Sequence, residues 1–400
     1  MSNTMLSLYA KTVSSSNSEI GLLMSMFAIT ALCCRFVAGP AIDSFNQKLL
    51  VMGAMSIMAA SYIGFAFSNS ISTLYIFRLV QGVGSGFGNV CLMTMVADTL
   101  PHDKFNTGMG YYAVASVVAQ ALGPTFGRLI VDMFGGIELS AAYTKLYLIT
   151  CGIQVSAILV STKIISAPHQ PKKFVLSPQN AVAKEAVIPA FVTFCVQMGF
   201  VIITSWLYIY AVSRGVYSPA ISLFFTIQAC TMLISRPLIG KLTDRYGFVK
   251  VGMPAICATI TSFFIISGAA SLKMLLVASA VNAFGFGAIL PTLQSLAVKS
   301  VPHSRRGTAS GTNFIGQDAA TIIGPSLSGQ IADFFARQRP GLVAANPDYF
   351  APEVWMLMTV PMFIGIAIII VFRKRIDRIE SGFREENASG KNVVDQPAIW

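Results

Sequence analysis

Apolar residues run through this chain in stretches of twenty or so, broken by short polar segments, at 18–41, 49–68, 72–97, 107–131, 142–165, 187–211, 219–240, 250–269, 272–298, 307–334 and 354–372. A helix needs about 20 apolar residues to cross a ~30 Å hydrocarbon layer, so the pattern predicts eleven spans and an all-α integral membrane protein. Shifted by 201 residues, the chain overlies itself where residue chemistry is least exchangeable: Arg35 on Arg236, Gly39 on Gly240, Asp43 on Asp244, Pro101 on Pro302, and Gly123-Pro124 on Gly324-Pro325. It therefore reads as two copies of one unit. The span at 187–211 finds only residues 1–9 as its mate, so most of a first helix is expected to be missing. A start codon placed too far downstream and a chain that truly begins here both account for that.

Composition fixes the solvent. Hydrophobic residues make up 54% and charged residues 11%, whereas soluble domains are about 25% charged. The expected domains are a truncated helix bundle at 1–166, a polar linker at 167–185 carrying Pro168, Pro171, Lys172, Lys173 and Pro178, a second bundle at 186–375, and a disordered polar tail at 376–400. One set of alternating loops plus the near tail carries sixteen Lys and Arg, the opposite set six. This bias places the first set, and the C-terminus, in the cytoplasm of a cell membrane (plasma or inner). The net charge of +11 then reflects topology and attraction to the lipid bilayer's anionic headgroups rather than nucleic-acid binding. All seven cysteines fall within spans, without disulfide or metal spacing. No cofactor is expected. The three histidines sit in polar loops, and no phosphate loop or His-Glu-x-x-His occurs, so the chain does not read as an enzyme.

Chemistry concentrates at a few places. One reads Arg236-Pro-Leu-Ile-Gly240-Lys-Leu-Thr-Asp244-Arg245-Tyr-Gly247-Phe-Val-Lys250; its mate reads Arg35-Phe-Val-Ala-Gly39-Pro-Ala-Ile-Asp43-Ser44-Phe-Asn46-Gln-Lys48. A glycine near a helix end permits close helix contact, and an aspartate four residues on can accept hydrogen bonds from a neighbouring helix N-terminus or pair with an arginine. Such a latch can form in one conformation and break in another. The segment resembles the loop signature of the major facilitator superfamily, Gly-x-x-x-Asp-Arg-x-Gly-Arg/Lys-Arg/Lys; the first copy departs from it at Ser44 and Asn46.

In the span at 72–97, Arg78, Gln81, Ser85 and Asn89 form one polar stripe. An arginine there should face water or a partner unless it snorkels to the membrane surface. The run resembles the superfamily's Arg-x-x-Gln-Gly motif, whose arginine the resemblance implicates in proton coupling. Gln120-Ala-Leu-Gly123-Pro124-Thr-Phe-Gly127-Arg128 resembles the superfamily's antiporter signature, with Arg128 where glycine is usual; its proline invites a kink and its glycines permit packing against it. Asp318 is the one acid near the middle of a span, beside Asn313 and Gln317. It can be a proton carrier, or it can pair permanently with a cation such as Arg35 or Arg236. Gln197, Thr204, Trp206, Gln228, Asn282 and Gln294 line a cavity or serve as interhelical hydrogen bonds.

The resemblance implies two pseudo-symmetric six-helix bundles, the first short of a helix, in a monomer that binds a small-molecule substrate near the membrane midplane. The function expected is secondary transport by alternating access, as proton-coupled efflux with protons the coupling ion. Proton-coupled metabolite uptake is the runner-up, and a non-transporting receptor or scaffold the alternative from another class.

Overall fold

The computed structural model describes residues 2–13, 17–136, 139–163, 181–216, 221–345 and 350–389. Among them there is no strand. The helices are α1 Ser2–Val13, α2 Asn17–Ser44, α3 Gln47–Ala66, α4 Ile71–Thr99, α5 Phe105–Met133, α6 Ser140–Ser161, α7 Val187–Ser213, α8 Ser222–Tyr246, α9 Phe248–Ser267, α10 Leu272–Lys299, α11 Arg306–Gln338, α12 Pro340–Ala345, α13 Glu353–Leu357, α14 Val360–Val371 and α15 Arg373–Ser389. Nine helical segments among the described residues are long and apolar enough to cross a membrane. The expected spans 107–131 and 307–334 lie on α5 and α11, continuous helices of 29 and 33 residues that are not among those nine. The last span is interrupted at Met358 and Thr359, where Pro361 lacks the N–H that would bond to the Leu357 carbonyl.

The chain forms two compact units. Unit 1 comprises Met1–Thr99, Val118–Lys184 and His303–Asp318; unit 2 comprises Leu100–Val117, Glu185–Pro302 and Ala319–Trp400. The start of α11 thus belongs to unit 1 and the start of α5 to unit 2.

Unit 1 packs around an aromatic cluster in which Tyr9 stacks on Tyr143 at 4.9 Å and Phe65 lies 5.3 Å from Tyr147, with Leu6, Leu74 and Leu146 filling the gaps. In unit 2 Tyr210 and Phe263 meet the buried Trp355 edge-on, at 5.4 and 5.7 Å. A hydroxyl shielded from water must find an acceptor within the protein. The Tyr9 hydroxyl donates to the Ser68 carbonyl, and that of its repeat mate Tyr210 donates to the Ser267 carbonyl at 2.6 Å. The periphery suits lipid: Leu49, Phe67, Ile76, Met133, Val160, Ile234, Val277 and Val371 are exposed.

The polar tail expected to be disordered is helical through Ser389. Ile376, Glu380 and Phe383, spaced four and three apart, turn one buried face inward, and Glu380 accepts a 2.7 Å hydrogen bond from the Phe248 N–H. Overall polarity hid this face. Residues 390–400, and most of the expected linker, lie outside the described residues.

Glycine contacts repeat too. A Cβ on Gly84 would come within 2.9 Å of the Ala54 carbonyl oxygen, and one on its mate Gly285 within 2.5 Å of the Ala255 carbonyl oxygen. Gly285→Ala is therefore expected to force α9 and α10 apart at a cost of about 1–3 kcal/mol. Gly53→Ala, with nothing within 4 Å of the added carbon, should be neutral or stabilising by up to about 1 kcal/mol. Thermal unfolding in detergent reads both; equal changes in the two variants would refute the contact argument.

Candidate functional site

Two helix starts organise the site. The first turn of a helix exposes N–H groups without intrahelical partners. At the second and third residues of α11, Gly307 N–H donates to Asp43 Oδ1 at 2.7 Å and Thr308 N–H to Oδ2 at 2.9 Å, and the Thr308 hydroxyl adds a 2.5 Å bond to Oδ2. The same positions of α5 face Asp244: Asn106 N–H donates to Oδ1 at 3.0 Å and Thr107 N–H to Oδ2 at 2.9 Å, with side-chain bonds of 2.8 Å from Asn106 and 2.6 Å from Thr107. All partners are mates under the 201-residue shift. Each aspartate therefore caps a helix from the other sequence half, in unit 1 for α11 and in unit 2 for α5. The negative charge also complements the positive end of the helix dipole.

The motif glycines make the approach possible. A Cβ on Gly39 would lie 2.8 Å from Thr308 Cα, and one on Gly240 2.6 Å from the Asn106 carbonyl oxygen. Gly247 closes α8 with φ +87°, a region that favours glycine. Its mate Asn46 instead caps α3 through its side chain, accepting from Lys48 N–H at 3.0 Å and Leu49 N–H at 3.4 Å. Arg245 is exposed, over the Tyr246 ring at 5.3 Å, whereas its mate Ser44 is buried.

Further along the same helices stand the two arginines. Arg35 donates Nε to Asp318 Oδ2 at 2.8 Å and Nη1 to the Gly86 carbonyl at 2.9 Å, and lies over the Phe314 ring at 4.4 Å. The geometry thus gives Asp318 the first of the two cationic partners considered. Its side chain is 17% exposed against 3% for Arg35. Arg236 repeats the carbonyl contact, Nε to Gly287 at 3.2 Å, but its Nη1 reaches the Ala113 carbonyl and the Ser116 hydroxyl, the latter at 3.3 Å. Among the described residues no carboxylate pairs with it.

Of the α4 stripe, Arg78 and Gln81 are each 2% exposed and joined by a 2.5 Å hydrogen bond, with Arg78 over the Phe27 ring at 4.6 Å. Arg78 is buried rather than snorkelling. Asn89 is exposed and donates to Ser85 at 3.2 Å. Asn313 is buried and Gln317 half-buried, both on the unit 1 part of α11. Asn282 accepts from Gln228 at 2.8 Å and donates to Ser262 at 3.0 Å, all three buried, an interhelical network of α8, α10 and α9. Gln197 is buried on α7, and its Oε1 has no hydrogen-bond donor among the described residues. Gly123 and Gly127 lie in the later, unit 1 part of α5, in a different unit from the Asp244 cap; the helix runs on through Pro124, whose side chain is outside the description.

The sequence reading missed the donors. Thr107 and Thr308 coincide on the repeat shift, and that coincidence at two helix starts was the available signal. Asp98 is a further buried carboxylate, receiving Arg306 at 3.0 Å, His303 at 3.2 Å and Gln47 at 3.0 Å.

Comparison with known proteins bears on this arrangement. The family model described as Major Facilitator Superfamily matches twice, over residues 1–216 and 189–400. Multidrug resistance protein 2 of Bacillus subtilis is 22% identical over 376 residues, covering 92% of this chain and 89% of its own. Quinolone resistance protein NorA of Staphylococcus aureus is 23% identical over 347 residues, covering 82% and 84%. The crystal structure of the E. coli fucose:proton symporter FucP is similar in fold at 15% identity, with a TM-score of 0.71 over 91% of this chain and 92% of that one.

Loss of the carboxylate charge at a helix N-terminus is worth up to ~2 kcal/mol in partly buried geometry. Asp244→Asn is accordingly expected to leave the fold intact and shift the balance between conformations roughly 5- to 30-fold away from the latched state. Labelling rates of single cysteines introduced on the two membrane sides report that balance. Unchanged rates on both sides would overturn the assignment of Asp244 as a latch.

Proposed function

The chain belongs to the major facilitator superfamily, and from that premise we propose that this multi-pass secondary transporter exports a small organic compound in exchange for protons. Its function is transport rather than catalysis. The observation that carries the coupling is the Arg35–Asp318 pair, the one buried ion pair between α2 and α11 among the described residues. In this reading Asp318 takes up the proton. Neutralising it removes the charge that holds Arg35, and the α2–α11 contact loosens while the cap at Asp43 remains. The names of the two resistance proteins support the outward direction and a drug-like organic substrate. On the same reading the protein is a monomer of two helix bundles, residues 1–166 and 186–375. The linker and the C-terminus lie on the cytoplasmic side, where the basic loops collect.

Full-length protein reconstituted in vesicles, with a fluorescent quinolone as probe and an imposed pH gradient, tests this directly. Asp318→Asn imitates the protonated form: the probe should still equilibrate down its own gradient, but the pH gradient should no longer drive its accumulation. Breaking a permanently fixed pair would instead leave a buried cation and cost about 3–5 kcal/mol, reducing folded protein. Accumulation that survives in a folded Asp318→Asn protein removes Asp318 as the carrier. Inward concentration of the probe in the parent would replace efflux by uptake.

A further inference from the structure

The repeat places the two arginines alike but not their partners. Position 318 has position 117 as its mate, and Val117 is buried in the apolar core of unit 2. From this we infer that residues 117 and 318 decide which seam responds to protons: Asp318 makes the α2–α11 seam proton-sensitive, and Val117 keeps the α5–α8 seam insensitive. The inference rests on the reading of Asp318 as proton carrier and adds position 117 as the residue that limits that response to one seam.

The two seams otherwise share three features. Both carry an aspartate on a helix start, Asp43 on α11 and Asp244 on α5. Both carry a buried arginine bonded to a glycine carbonyl, Arg35 to Gly86 and Arg236 to Gly287. Both approach through a glycine, Gly39 or Gly240. Facing Asp318 from α2 is Arg35, while α4 contributes the Gly86 carbonyl to the same guanidinium. Elsewhere on this seam are Asp43 and the Arg306–Asp98–His303 cluster. The α5–α8 seam has Arg236 and Asp244, with Lys299 of α10 over the Phe105 ring at the start of α5. The Arg306–Asp98–His303 cluster is confined to the α2–α11 seam, so loss of the excess response in Asp318→Asn, rather than the excess itself, isolates position 318. On the α5–α8 seam Arg236 is held by a neutral carbonyl and a hydroxyl, neither of which changes charge as pH falls. Val117 lies one turn beyond Ala113 on α5, as Asp318 lies one turn beyond Phe314 on α11. An acid at 117 is thereby placed towards Arg236 as Asp318 is towards Arg35.

The test uses full-length protein in vesicles, with Cys33, Cys230 and Cys257 replaced by serine. Nitroxide pairs go at two sets of mates: Phe45 with Arg305 across α2–α11, and Tyr246 with Lys104 across α5–α8. Lowering the pH from about 8 to about 5 should lengthen the first distance more than the second. Asp318→Asn should abolish that excess, and Val117→Asp should give the α5–α8 pair a pH response of its own. Equal responses of the two pairs in the parent, an excess that survives Asp318→Asn, or a folded Val117→Asp without a new response would each overturn the inference. If Val117→Asp fails to insert, the parent and Asp318→Asn comparison decides alone. Loss of the excess in Asp318→Asn, with pH-driven quinolone accumulation retained, would sink the carrier reading while upholding the seam assignment.

Discussion

Backbone N–H groups at a helix start have no intrahelical partner, and where neighbouring helices shield them from water they must find acceptors inside the molecule. For α5 and α11 the acceptor is a carboxylate carried by another helix. Much else is dictated by that requirement. The carboxylate must come within hydrogen-bond distance of two successive N–H groups, which brings the helix bearing it almost into backbone contact and demands glycine one turn earlier, at Gly39 and Gly240. A threonine as the third helical residue, Thr107 or Thr308, adds a hydroxyl donor to the same oxygen that its own N–H engages. The resulting contact is charged and directional, so at Asp43 it adds a charge-dependent element to the apolar packing of Ala38 and Ile42, against which Phe314 of α11 lies.

The duplicated units share this cap and then diverge in charge. Asp98, which receives Arg306 in one copy, is Lys299 in the other, and Arg306 itself has Phe105 as its mate; ion pair has become cation over aromatic ring, with Lys299 5.5 Å from Phe105 and 5.2 Å from Phe383. Asp318 and Val117 diverge in the same sense. The symmetric parts therefore hold the helices, and the asymmetric parts place different charges in the two halves. A transporter with two identical seams would have no electrostatic basis for one seam to respond to protons before the other.

Spans and repeat were legible in the sequence because hydrophobic runs of membrane length and a fixed shift of Gly, Pro, Arg and Asp are properties of the chain itself. Gly39, Asp43, Gly240 and Asp244 were found for the same reason. A helix N-terminus was one of the two partners read for the aspartates, but which helix was not legible, since Asn106, Thr107, Gly307 and Thr308 are ordinary helix-start residues until a carboxylate from sequence-distant chain is brought beside them. Asp318 was conspicuous as a lone acid in an apolar span, yet two arginines were equally plausible partners by sequence. Only the packing of α2 against the start of α11 separates them. Asn282 and Gln228 read equally well as cavity lining or helix glue, and their mutual hydrogen bond, closed by Ser262, places them as glue.

The departure of the first loop motif at Asn46 shows how a signature can change while its physical task is kept. Every helix start that follows such a loop needs an acceptor. In the first copy Asn46 supplies one from its own side chain, to Lys48 and Leu49 of α3. In the second copy Gly247 has no side chain to offer, and its positive φ turns the chain sharply into α9. The acceptor there is Glu380, from a helix more than a hundred residues further along the chain, bonded to Phe248 N–H. A Cβ at position 247 would lie 2.6 Å from that carboxylate, so the glycine and the distant acid are fitted to one another. The C-terminal helix α15 is thus tied into the second copy by the same rule that governs the latches, and the motif glycine there, like Gly240, marks a place where a carboxylate from elsewhere in the chain comes in close to a helix start.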